Sequence, residues 1–268
     1  MIYFICCKNK IHFFIEYIDS LQYNYKNIQI IASLPKCIDY SSKYIFIQNI
    51  PNISYEILNK LDCYLLNTEQ LSKPEWISYL LSTNVKILDY SLSNIECYLP
   101  YKSNIYYLPY MVNKNEIFNY DKIYNVAAVG CWDDSYRMNI TNKIQNINII
   151  DGFGMDRDER LFKHKILLNV HFNERFKIFE QLRCNRCIFN KMIVITERSL
   201  HINDELKEYI IECDYDDLVS TTKHVLENYD FYYNKIFKNF DIDRIEIMYK
   251  KINDPFLNDT NKDLNTLK

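Results

Sequence analysis

Asn125-Val-Ala-Ala-Val-Gly130, Ile147-Asn-Ile-Ile-Asp-Gly-Phe-Gly154, Lys165-Ile-Leu-Leu-Asn-Val-His171 and Met192-Ile-Val-Ile-Thr-Glu197 are short, almost unbroken apolar runs that end in glycine or polar residues. Runs of this kind, rather than alternating ones, read as strands of a parallel sheet covered on both faces. All three glycines of the 268-residue chain fall in this stretch. A chain so poor in glycine keeps it where φ is positive or where a ligand touches the backbone. Ligands of parallel sheets bind outside the carboxyl ends of the strands. The Gly, His, Glu and Arg residues of the stretch lie at those ends.

Helical spacing fills the gaps. The periodicity predicts helices over Tyr136 to Ile144, Asp158 to His164 and Glu174 to Phe189, the last burying Phe176, Phe179 and Leu182. Asn190 is expected at its left-handed end. Asp216 to Asn228 is a further helix, and Tyr229 to Lys250 a helical, aromatic-rich tail.

Towards the N-terminus the same alternation recurs. Ile2 to Cys7, Ile28 to Ala32, Tyr44 to Gln48, Cys63 to Asn67, Val85 to Asp89 and Ile105 to Pro109 read as strands. Helices are expected around Phe13 to Leu21, Ser54 to Leu61 and Pro74 to Leu81, where proline suits a first turn. Polar, turn-rich residues from Pro109 to Asp121 mark a boundary. The expected division is residues 1–115, residues 116–253 and a polar tail over 254–268. Two α/β domains follow.

Composition narrows the function classes. Lys plus Arg is 32 against 35 for Asp plus Glu, a formal charge of −3 without long runs of one sign. That is no footprint for nucleic acid or an anionic membrane. No run approaches the roughly 18 apolar residues of a membrane span. The nine cysteines sit mostly in or beside apolar runs, as reduced buried thiols do in a cytosolic protein. A cytoplasmic protein is expected. The 24 tyrosines, with abundant Asn, Ile and Lys, also indicate an A+T-rich genome.

Several constellations carry chemistry. Gly130-Cys-Trp-Asp-Asp-Ser-Tyr-Arg137 joins a strand-end glycine to an early-helix arginine, an arrangement that brings N–H groups and a guanidinium onto a phosphate; a solvated turn is the plain alternative. Gly152 and Gly154 offer a second backbone approach, or only a tight turn. His171-Phe-Asn-Glu-Arg-Phe-Lys-Ile-Phe-Glu180 places His171, Arg175, Lys177 and Glu180 at a strand-to-helix junction. Arg175 and Lys177 offer charge to a diphosphate, and Glu180 offers acceptors to ribose hydroxyls; ordinary surface charges are the alternative. Cys184 and Cys187 share a helix face, and without two further ligands they read as packing rather than a zinc site. Glu69, after a buried strand, is a candidate general base, and His12 competes with it. Hydrolase and P-loop motifs are absent from the sequence.

Lys165 to His171, Ile178-Phe-Glu180 and Ile193-Val-Ile-Thr-Glu-Arg-Ser199 resemble the C-terminal domain of GT-B glycosyltransferases. The chain is similar to small glycosyltransferase-like proteins of giant DNA viruses and to spore-maturation-type glycosyltransferases. Leu65-Leu-Asn-Thr-Glu-Gln-Leu71, Ile87-Leu-Asp-Tyr-Ser91 and Tyr107-Leu-Pro-Tyr110 extend the viral likeness into the first half. The resemblance implies two Rossmann-like domains with parallel sheets facing a cleft, and a metal-independent transfer of sugar from a nucleotide-diphosphate donor. It implies Glu180 as the ribose-binding glutamate and Gly130 to Arg137 as the phosphate-side loop. Phe172 stands where the family's E-x7-E pair has its first acid, and Asn190 where a glycine is usual. The expected partners are a nucleotide-sugar, UDP-linked by assumption, and a glycan or protein acceptor hydroxyl; no other cofactor is expected. The setting is the host cytosol or a viral factory. Two rival readings remain open: a non-catalytic nucleotide-sugar-binding protein, and a Rossmann enzyme using NAD or S-adenosylmethionine, the latter discouraged because this chain has no glycine-rich turn after its first strand.

Overall fold

In the computed structural model, which describes residues 1–71, 74–130, 135–200, 202 and 204–257, the apolar runs are strands of two all-parallel sheets. The first compact unit spans Met1–Asn113 and takes up the chain again from Glu246; the second spans Lys114–Ile245. The first unit contains β1 (Ile2–Ile5), α1 (Ile15–Asn24), β2 (Ile28–Ile31), β3 (Lys43–Ile47), α2 (Tyr55–Leu58) and β4 (Asp62–Asn67). It continues with α3 (Pro74–Ser82), β5 (Lys86–Asp89), α4 (Leu92–Tyr98) and β6 (Ile105–Tyr107). Its sheet runs β2-β1-β3-β4-β5-β6. Phe46, Leu65, Ile87 and Tyr98 are completely buried in its core, because unbroken apolar strands have both faces to cover.

The second unit contains β7 (Tyr124–Val129), α5 (Ser135–Thr141), β8 (Ile147–Ile150), α6 (Met155–Leu161), β9 (His164–Asn169) and α7 (Gln181–Phe189). Then come β10 (Ile193–Glu197), α8 (Asp204–Lys207), β11 (Ile210–Cys213), α9 (Leu218–Glu227) and α10 (Tyr229–Phe237), and α11 (Ile242–Leu257) closes the described chain. The sheet order is β11-β10-β9-β7-β8. Both sheets reverse direction of winding once, between β1 and β3 and between β7 and β9. Such reversals open a crevice beyond the carboxyl ends of the two strands, the usual ligand position in α/β sheets. The α/β class with two parallel sheets is as the sequence indicated.

Some local expectations give way to packing. The helix expected from Glu174 begins only at Gln181. Asn173 instead closes a turn, its Oδ1 accepting from Arg175 N at 2.9 Å, and Ile178 pairs in parallel with Leu200. Strand-like pairing thus overrides the helical spacing of Phe176 and Phe179. His164 opens β9 rather than ending a helix. The left-handed residue after α7 is Lys191, at φ 52°, not Asn190. Asn190 is held at φ −90° while its Nδ2 donates to Glu116 O and its Oδ1 accepts from Phe118 N. The tail helix is two helices, α10 and α11, and α4 formed where no helix was expected. The distal residues 258–268 of the expected polar tail, and Cys131 to Asp134 of the expected phosphate-side loop, lie outside the described residues.

Candidate functional site

The second sheet's reversal lies between Val129-Gly130 and Asn169-Val-His171. Gly130 has φ 128°, a conformation that side-chain-bearing residues avoid. Two guanidiniums close on it. A Cβ built there would stand 2.9 Å from Arg183 Nη2 and 3.4 Å from Arg137 Nη1. Arg137, from α5, is 3% exposed, and its Nε donates to the carbonyls of Val170 and His171 at 3.1 and 3.2 Å. Arg183, in the first turn of α7, donates through Nη1 to Asn169 Oδ1 at 2.8 Å. Glu180 sits between the two arginines, 2.8 Å from Arg183 Nη2 and 3.6 Å from Arg137 Nη2. Residues 130, 137, 169, 180 and 183 therefore form one polar cluster at the strand ends.

His171 extends this cluster towards β10. Its backbone N donates to Glu197 Oε2 at 3.0 Å, and Tyr136 OH donates to Glu197 Oε1 at 2.6 Å. The His171 ring has Nε2 3.2 Å from Arg198 O and 3.3 Å from Ser199 Oγ. Burial holds the imidazole below its usual pKa, so the neutral ring is favoured. The Nε2–H tautomer donates to Arg198 O and leaves Nδ1 as a buried acceptor without a hydrogen-bond partner among the described residues. Tyr136 stacks on Tyr215 with ring centroids 4.1 Å apart, and Tyr215 OH donates to the Tyr136 carbonyl. That pairing anchors the first turn of α5 and with it Arg137.

The other expected residues have different settings. Arg175 and Lys177 lie exposed on the irregular segment before α7, so they do not share a helix with Glu180. Gly152 and Gly154 keep positive φ, 89° and 71°, in the turn after the edge strand β8. The nearest neighbour of a Cβ on Gly152 would be Arg160 Nη2 at 3.9 Å. Phe172, the departure from the family's acid, is 39% exposed, and the Arg137 guanidinium lies 5.4 Å from its ring centre. Arg183, Asn169, Glu197 and Tyr136 were not singled out by the sequence reading. The i, i+3 spacing of Glu180 and Arg183 was the available signal for the first of them.

In the first unit His12 lies in a short 3₁₀ turn after β1, its ring 3.9 Å from that of Phe13. Glu69 is exposed just beyond β4, and its Oε1 accepts from Gln48 Nε2 at 2.8 Å. Among the described residues no group of three or more His, Cys, Asp or Glu is arranged to hold a metal ion. Cys184 and Cys187 are free, buried thiols, as packing residues should be. No helix among the described residues is long and apolar enough to cross a membrane.

No established family model matches the sequence. The chain is 32% identical over 216 residues to the uncharacterized protein R358 of Acanthamoeba polyphaga mimivirus, covering 76% of both chains. It is 29% identical over 241 residues to the uncharacterized protein L140 of the same virus, covering 82% of this chain and 78% of the relative. Among solved structures, TarM of S. aureus, a GT-B glycosyltransferase, superposes with a TM-score of 0.52 at 8% identity. That match covers 80% of this chain but only 55% of TarM. At this identity the likeness concerns the fold.

Proposed function

This chain belongs to the family of the mimivirus protein R358, and from that premise, joined to its GT-B-like fold, we propose that it is a glycosyltransferase using a nucleoside-diphosphate sugar. The observation that carries this reading is the convergence of Arg137 and Arg183 on Gly130 at the winding reversal of the second sheet. The positive φ disfavours a side chain at that point and two positive charges face the bare backbone, which suits a diphosphate. Glu180 bridges both arginines. With donor bound, its carboxylate takes the ribose hydroxyls, and the guanidiniums, held where they are by Val170, His171 and Asn169, face the phosphates.

Breaking the glycosidic bond puts negative charge on the departing diphosphate. Arg137 is already fixed by two backbone carbonyls and Arg183 by Asn169, so they stabilise that charge with little reorganisation. No metal is needed in this reading. The neutral His171 presents an acceptor at Nδ1, which suits a hydroxyl of the sugar better than an anionic phosphate oxygen. If the reaction inverts the sugar, Glu69 or His12 takes the proton of the acceptor hydroxyl; if it retains, neither need do so. The acceptor is a glycan or protein, and the setting the host cytosol or viral factory.

A second reading is a nucleotide-sugar-binding protein without turnover. Phe172 favours it, because an exposed aromatic ring under Arg137 replaces the acid of the family pattern. Calorimetric titration with UDP, GDP, dTDP and CMP, with and without EDTA, tests both readings together with donor hydrolysis. Binding of one diphosphate that survives EDTA and is weakened in Arg183→Ala, followed by donor cleavage, supports the transferase. Binding without cleavage supports the second reading, and no binding of any diphosphate refutes both.

A further inference from the structure

The carboxyl ends of β3, β4 and β5 carry a frame of side chains that the roles above leave unused. Asp89 is completely buried. Its carboxylate accepts from Asn67 Nδ2 at 2.7 Å, Tyr98 OH at 2.7 Å, Ser91 N at 2.8 Å, and Asn94 Nδ2 at 3.0 and 3.1 Å. These four donors are all neutral. The same two amides also hold Glu69: Asn67 Nδ2 and Asn94 Nδ2 donate to its carbonyl at 2.8 and 2.9 Å. Asn67 Oδ1 accepts from Glu69 N at 3.1 Å, and Asn94 Oδ1 from Leu71 N at 3.2 Å.

A second constraint comes from β3. Gln48, directly after that strand, has φ 62°, a strained conformation for a residue other than glycine. Its side chain reaches Glu69 Oε1 at 2.8 Å and Thr68 Oγ1 at 2.9 Å. An exposed loop needs neither a buried carboxylate nor a left-handed glutamine to be stable. Both converge on Glu69, whose backbone is fixed from beneath and whose carboxylate is fixed from the side. Frames of this kind hold functional groups in place.

We propose that Asp89, acting through Asn67 and Asn94 and together with Gln48, is a positioning residue that holds the Glu69 carboxylate as the acceptor for a substrate hydroxyl, a role that rests on the transferase reading. The frame has a built-in pH dependence. A proton on Asp89 puts an O–H among four donors, so a contact to Asn67 or Asn94 is lost and the grip on Glu69 weakens. Burial pushes Asp89 up to about 7. The titratable side chains coupled to it, Tyr98 and Cys97 of α4 and Tyr17 of α1, all have their pKa raised and stay neutral near pH 7. Asp89 is therefore the group that titrates near neutrality.

The test uses the full chain, wild type and Tyr98→Phe, which removes one donor without emptying the frame. Hydrogen exchange at the Glu69 and Leu71 amides is followed against pH, beside UDP binding and kcat for donor turnover. Protection at both amides is expected to fall as pH drops through about 7. In Tyr98→Phe the midpoint should move up by about one pH unit, the worth of one hydrogen bond to a charged group. The acid limb of kcat should move with it while UDP affinity stays constant. A midpoint unmoved in Tyr98→Phe, or a kcat indifferent to the loss of protection, overturns the proposal. If no nucleoside diphosphate of the titration series binds the wild type, the transferase reading falls and Glu69's substrate role with it, while exchange still decides whether Asp89 governs the loop.

Discussion

Arg183 presses its guanidinium against Gly130 so closely that a Cβ on the glycine would meet Nη2 at 2.9 Å. Because the contact is with the far end of a flexible side chain, the arginine rather than the backbone yields to a larger residue. Gly130→Ala therefore has two separable effects. The strained φ of 128° costs about 1–3 kcal/mol of stability, and the displaced guanidinium costs nucleotide affinity. Gly152→Ala, at φ 89° with only Arg160 at 3.9 Å, should show the stability loss alone. Denaturant melts and UDP titrations of the two variants separate the effects.

Glu180 pairs with both Arg137 and Arg183. Glu180→Gln should weaken UDP binding by about tenfold, the loss of roughly 1.4 kcal/mol from the ribose contacts. Inorganic pyrophosphate should bind more tightly to the same variant, because the guanidiniums lose their resident anion. Opposite changes for the two ligands, measured by calorimetry, identify Glu180 as ribose-facing; parallel losses would place it elsewhere.

A buried ionic lattice lies apart from this site. Asp158 accepts from Arg157 Nε at 3.0 Å and from Arg186 Nη1 at 3.1 Å, and Arg186 Nε lies 2.8 Å from Glu116. Asp158, Arg157 and Arg186 are each under a tenth exposed. Asp158→Asn leaves two buried guanidiniums short of an anion and should cost about 3–5 kcal/mol. Urea denaturation measures the loss. A cost below about 1 kcal/mol would show that water or Glu116 replaces the lost charge.

Asp89 also gives stability a definite pH dependence. Its folded value of about 7 lies above the 3.8 of an unfolded aspartate, with burial the largest cause. The folded state thus binds the proton more tightly, and the contribution is fully favourable below about pH 4. It is lost as pH rises to about 7. For this group stability falls across that window, against the usual trend for carboxylates. Comparing the pH dependence of unfolding in wild type and Asp89→Asn isolates it: the downward slope between pH 4 and 7 should vanish in the variant, even though the added amide destabilises the frame at every pH.

Much of the fold was legible because strand formation here is a local, compositional event. Continuous apolar runs such as Ile166-Leu-Leu168 and Ile193-Val-Ile195 have no solvated face, so a doubly covered parallel sheet is their natural setting. The three glycines were legible as positive-φ positions for a similarly local reason. Helix starts were less so: Phe176 and Phe179 keep helical spacing, yet Ile178 pairs with Leu200 and delays α7 to Gln181.

By itself, then, the sequence determined the α/β class, most strand positions, the role of glycine at the strand ends, and the presence of Arg137 and Glu180 near a strand-to-helix junction. Only the tertiary structure decided which charges meet. Winding order places β7 beside β9, and this brings Arg137 to the Val170 and His171 carbonyls across more than thirty positions of sequence. Arg183 reaches Gly130 in the same way, while Arg175 and Lys177, on the other side of Glu180 in sequence, stay on the surface. Asp89 was visible as a strand-end residue, but its buried state and its hold on Glu69 depend on donors from β4 and α4. Burial and hydrogen-bond partnership are properties of neighbours in space, and strand order sets those neighbours.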